Sequence, residues 1–126
     1  MRKQEATAAI CWGQQALGLG GWTFTIQLDD DAPAWAIDDP PAGGACARPD
    51  LAFRECPVWV SPRQCEALGY EPYWALFHEL VHVALVEAGL TNAQHTDYTE
   101  FTCNAISKTL ADVYAVVSRR KKKARR

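Results

Sequence analysis

The sequence predicts an α+β domain, with a small sheet containing antiparallel strands packed against two consecutive helices. Three observations predict it. Alternation of apolar and polar residues is confined to the stretch between residues 22 and 60. From Pro72 onward the apolar residues recur at helical spacing instead. A further stretch of high helix propensity, residues 4–17, precedes the strands. With 126 residues, 48% hydrophobic and 22% charged, the chain has the size and composition of one globular domain rather than a disordered segment.

The first helix is built on Ala8, Ala9, Cys11, Trp12 and Leu17, and Gly18-Leu19-Gly20-Gly21 ends it. Trp22, Phe24, Ile26 and Leu28 then alternate with polar residues, as a half-buried strand requires. Asp29-Asp30-Asp31 reads as a polar turn and residues 34–37 as a short strand. Residues 38–44 are rich in Pro and Gly and read as loop. Two more strands are expected at residues 45–48 and 53–60, and Pro57 marks the second as an edge or bulged strand. Pro72 suits the first turn of the next helix, and Gly89 followed by Leu90 suits its end. Asp97-Tyr98-Thr99-Glu100 opens the last helix like a capping box. Its core stripe is expected to run Cys103, Ile106, Leu110, Val113, Val117. The five tryptophans are expected to pack in the core, although Trp74, four residues before His78, shares its helical face.

The net charge of −2 hides an uneven distribution. Seven of the thirteen basic residues fall within residues 119–126, so the rest carries six basic against fifteen acidic residues, net −9. The organisation expected is a single acidic domain over residues 1–118 and a basic, disordered tail over 119–126. The acidic body does not suit nucleic acid; the tail could touch it. No apolar h-region follows Met1-Arg2-Lys3, and the longest apolar stretch, residues 72–90, contains His78, Glu79, His82 and Glu87. Neither a secretory leader nor a membrane span is expected. Five cysteines without a CxxC pair argue for free thiols in a reducing cytoplasm.

One motif carries chemistry. His78-Glu79-Leu80-Val81-His82 is an HExxH sequence in an uninterrupted apolar helix, and it uses two of the three histidines in the chain. Residues four apart share a helical face, so both imidazoles can reach one metal ion, Zn²⁺. Glu79 is turned about 100° away. That places it beside the metal, where it can serve as general base for a metal-bound water. Zinc needs a third protein ligand. Glu100 at the start of the following helix and His95 in the loop both qualify, with Asp97 a weaker candidate; a helix fixes a ligand better than a loop does. His95 and Tyr98 could alternatively donate to a developing oxyanion. Cys103 and Asn104 could orient a ligand from behind. A substrate could be held as an added strand on a sheet edge, for which residues 53–60 are the candidate.

HExxH on one helix with Glu100 opening the next resembles the gluzincin metallopeptidases, and among them the small phage- and plasmid-associated peptidases of the ImmA/IrrE type. The resemblance extends in layout over residues 22–117. It implies a zincin-like fold, zinc held by His78, His82 and Glu100, Glu79 as base and proton shuttle, and a protein or peptide substrate. The alternatives are a non-catalytic zinc-containing binding module of phage or plasmid origin, and a DNA-associated protease of SprT-like character. The latter would take His95 as the ligand and use the basic tail.

Overall fold

A computed structural model describes residues 1–36, 44–90 and 97–124, with their side chains except at 97–99 and 124. The described elements are helix α1 (Lys3–Ala16), strands β1 (Thr23–Leu28), β2 (Ala45–Ala47) and β3 (Glu55–Val60), then helices α2 (Pro62–Ala67), α3 (Pro72–Glu87) and α4 (Asp97–Ala124). The mixed α+β class expected from the sequence is what forms.

Helix α1 buries Ala6, Ala9, Ile10 and Gly13. Gly13 permits a close approach to α3, since a Cβ there would lie 2.6 Å from Leu80 Cδ1. Gln14 Nε2 then clamps the turn into β1 by donating to the carbonyls of Leu19 (3.1 Å) and Trp22 (2.8 Å). The strand order is β1-β3-β2. β1 runs parallel to β3, from Thr23↔Glu55 to Leu28↔Val60, and β2 pairs antiparallel with β3, from Ala45↔Val60 to Ala47↔Val58.

The edge assignment of residues 53–60 is therefore overturned: β3 is the central strand. Pro57 is accommodated because its missing N–H falls opposite Arg48, just past the end of β2. Arg48 N–H donates to the Pro57 carbonyl at 3.1 Å, and Pro57 has no donor to return. The ladder skips that bond and resumes where Asp50 and Glu55 exchange bonds of 2.8 and 3.3 Å. Phe53 belongs to the four-residue loop between them and is 75% exposed. Val58, Trp59 and Val60 are all buried, as suits a strand covered on both faces.

Residues 34–36 form one turn of 3-10 helix, closed by Ala36 N–H on the Pro33 carbonyl at 2.9 Å, and not the expected strand. The short α2 is an addition to the expected elements. Its signals are Ser61, whose Oγ accepts from Gln64 N–H at 3.1 Å, and Pro62 in the first turn. Glu71 caps α3 by accepting from Trp74 N–H at 2.8 Å, and Gly89 at φ +72° lets Leu90 N–H return to the Leu85 carbonyl at 2.9 Å. The core lies between α1, the sheet and α3, around Ile10, Trp22, Val58, Leu76, Phe77 and Leu80. Trp22 and Trp59 are buried, while Trp12, Trp35 and Trp74 are partly covered.

Helix α4 differs from expectation twice. It continues through Arg119–Lys123 to Ala124, so the described part of the basic segment is helical rather than a disordered tail. Its inward face runs Cys103, Ser107, Leu110, Ala111, Tyr114, whereas Ile106 and Val113 are 39% and 46% exposed. Ser107 and Ala111 thus take places on the buried face that the apolar Ile106 and Val113 do not. No described helix is long and apolar enough to cross a membrane.

Candidate metal centre

Helix α3 is apolar on most sides, burying Leu76, Phe77, Leu80, Val81 and Val83. His78 and His82 lie together on its remaining partly open face, toward α4. Their Nε2 atoms are 3.1 Å apart and their ring centroids 4.8 Å apart. Glu100, in the first turns of α4, closes a triangle: one carboxylate oxygen is 3.2 Å from His78 Nε2 and the other 3.0 Å from His82 Nε2. Both imidazoles are mostly covered, with 13% and 12% of the side chain exposed, and Glu100 is 42% exposed.

These separations fit one ion. Two donors bonded at 2.0–2.1 Å in a tetrahedral arrangement sit about 3.3–3.4 Å apart. The observed 3.0–3.2 Å edges lie within a few tenths of that. His78, His82 and Cys103 also offer ligand atoms that all lie within 4.8 Å of one another. A His/His/Cys group with a carboxylate beside it could therefore hold a metal ion. Cys103 stands differently from Glu100, however. Its Sγ lies 3.5 Å from His82 Nδ1, whereas His82 Nε2 is the nitrogen next to His78 and Glu100. Burial pushes the Cys103 thiol up to about 12, with the carboxylates of Glu100 and Glu79 adding to the effect.

Glu79 occupies the adjoining face of α3 and is only 8% exposed. Burial, and then the charge of Glu100, raise its carboxyl to about 8, against which the Ala47 backbone N–H acts by hydrogen-bonding to the carboxylate. That contact explains how β2 matters to the site. Gly44, Cys46 and Arg48 are the positions that bond to β3; Ser61 N–H reaches the Gly44 carbonyl at 2.7 Å and Arg48 N–H the Pro57 carbonyl. Ala45 and Ala47 alternate with them and turn their backbone groups to the outer edge of the sheet. A backbone donor of this kind leaves no mark in a sequence.

Trp74 packs its ring against that of His78, centroids 5.6 Å apart and tilted by 55°, as their four-residue spacing implies. It also lines a groove of about 1070 Å³ with Trp12, Tyr70, Tyr73 and Tyr114, running away from the histidines between α1 and α4. Asn104 does not join the cluster: it is exposed, and its carbonyl accepts from Ser107 Oγ at 3.2 Å. His95 lies outside the described residues, as do the side chains of Asp97 and Tyr98.

No protein-family model, curated protein or solved structure matches the chain.

Proposed function

We propose that this chain is a zinc-dependent metallopeptidase of gluzincin type, hydrolysing peptide bonds. The observation that carries the reading is the triangle of His78 Nε2, His82 Nε2 and the Glu100 carboxylate, with edges of 3.0–3.2 Å, beside a buried Glu79. Zinc bound there supplies Lewis acidity and lowers the pKa of water from 15.7 to about 7.

The chain's own residues do the rest. His78, His82 and Glu100 would hold the ion as three protein ligands, a set that would let water or substrate reach it as well. The Glu79 carboxylate takes the proton of the attacking water and returns it to the departing amine nitrogen. Its burial beside Glu100 keeps this carboxyl out of bulk water, next to the proposed ligands. The Ala47 backbone N–H beside it favours the charged form of that carboxylate. The outward backbone groups of Ala45 lie next along the same edge, where an extended peptide can add as a strand.

A second reading is favoured by Cys103. If its sulfur joined the two histidines and Glu100, the site would have four protein ligands, and a closed zinc site is structural rather than catalytic. The chain would then be a zinc-containing binding module. Turnover separates the two. Cleavage of casein or a peptide mixture by the zinc-loaded protein, abolished by chelator and restored by zinc, is the expected result. Glu79→Gln should keep one zinc per chain and lose at least a hundredfold in kcat. Normal cleavage by that variant would remove the mechanism.

A further inference from the structure

We propose that Cys103 is a positioning residue for the metal ligand His82, accepting a hydrogen bond from its Nδ1–H. This rests on the metal centre proposed above and goes further by giving the cysteine a task outside the coordination sphere. Three observations carry it. His82 presents Nε2 to His78 at 3.1 Å and to Glu100 at 3.0 Å, so Nε2 is the nitrogen on the metal side. Cys103 Sγ lies 3.5 Å from the opposite nitrogen, Nδ1, a normal distance for a bond to the large sulfur atom. The two nitrogens of an imidazole point in diverging directions, so a sulfur aligned with Nδ1 does not share a metal aligned with Nε2. Finally, Cys103 is fully buried on the face of α4 that packs against α3, where its own position is fixed.

The consequence is a defined tautomer. A metal on Nε2 requires the proton on Nδ1, and an acceptor at Nδ1 both holds that proton and sets the plane of the ring. Placement three residues after Glu100 ties two tasks to one helix turn: the same first turns of α4 supply a ligand and brace a second ligand carried by α3. Seating α4 against α3 therefore fixes both at once.

The test uses the full chain with Cys103→Ala and Cys103→Ser. Zinc affinity, measured by competition with a chromophoric chelator, should fall about 10–100-fold in the alanine variant. It should recover in the serine variant, whose hydroxyl oxygen can accept the same bond. Cobalt substitution supplies a readout that packing alone would not move. The wild-type cobalt protein should show no thiolate-to-metal charge-transfer band. It should show two hyperfine-shifted, exchangeable imidazole N–H signals, one of which exchanges faster with water in the alanine variant and is restored in the serine variant. A thiolate charge-transfer band in the wild type would overturn the proposal by making Cys103 a ligand. Unchanged affinity and unchanged exchange in Cys103→Ala would overturn it by removing the bond. A wild-type chain that takes up neither metal overturns the metal centre itself, and the positioning role with it.

Discussion

At the scale of single residues, Glu79 combines the most perturbed environment with the most exacting role. Its carboxyl is raised from 4.5 to about 8, chiefly by burial and next by Glu100. The folded chain therefore holds this proton more tightly than the unfolded chain. Between pH 4.5 and about 8 the folded state carries the extra proton, so this group makes stability fall as pH rises through that window. A difference of one in pKa between the folded and unfolded chain corresponds to about 1.4 kcal/mol. The metal-free protein should accordingly lose urea resistance from pH 5 to pH 8. Glu79→Gln should remove most of that loss, matching wild type near pH 4 and exceeding it at pH 8. Bound zinc should flatten the wild-type slope too, because its charge offsets that of Glu100. An apo protein with equal urea midpoints at pH 5 and 8 would contradict the burial of an ionisable Glu79. The triad of His78, Glu79 and His82 was legible in the sequence because helical spacing alone dictates which of them share a face. Cys103 was legible only as one of two neighbours. Its selection over Asn104 depends on how α4 is rotated against α3, and tertiary packing decides that.

At the scale of elements, the strand β2 was legible as a strand, but its place was not. A proline inside a run of strand residues normally signals an edge, and Pro57 points to that assignment. The rule concerns a missing donor, and here the missing donor meets the point where β2 has already ended. The edge position thus passes to Ala45–Ala47, the strand whose outward N–H reaches Glu79. What aims β2 is Gly44. It has φ +83°, and a Cβ on it would lie 2.7 Å from Cys65 Sγ and 2.8 Å from the Cys65 backbone nitrogen. An L side chain in that conformation costs roughly 1–2 kcal/mol. The collision adds about 1–3 kcal/mol, since backbone rather than a flexible tip must give way. Gly44→Ala should therefore lower stability by about 2–5 kcal/mol in chemical denaturation. Where the variant still folds, catalysis should fall more than zinc affinity, because β2 carries the Ala47 N–H that acts on Glu79 and supplies none of the proposed ligands. Equal losses of zinc and turnover would argue against this division of labour. Helix α4 makes a related point: periodicity finds the helix but misplaces its buried face, since Ser107 and Ala111 pack inward while Ile106 and Val113 stay out.

At the scale of the whole molecule, the uneven charge of the sequence becomes an uneven use of α4. Its 28 residues span about 42 Å, against about 24 Å for the 16 residues of α3. The first turns carry Glu100 and Cys103 to the histidines. The middle packs Tyr114 against Trp12 and Phe77, with centroids 5.3 and 5.5 Å apart, and so ties α4 to α1 and the core. Beyond Ser118 the helix presents Arg119, Arg120 and Lys121–Lys123, all exposed, with the charge sign that a helix C-terminus favours. The metal centre and the basic end thus lie on opposite sides of the anchor at Tyr114. The expected result of deleting residues 119–126 is unchanged zinc affinity and unchanged peptide cleavage, with a stability loss of at most about 1 kcal/mol from the helix terminus. Tyr114→Ala should behave oppositely. It removes the anchor, so it should cost about 3–5 kcal/mol, the range for truncating a large aromatic, and weaken zinc through looser seating of Glu100 and Cys103. Zinc affinity measured side by side on the two variants tests the arrangement. Loss of zinc on deleting the basic end, with retention in Tyr114→Ala, would place the support of Glu100 beyond the anchor instead of at it.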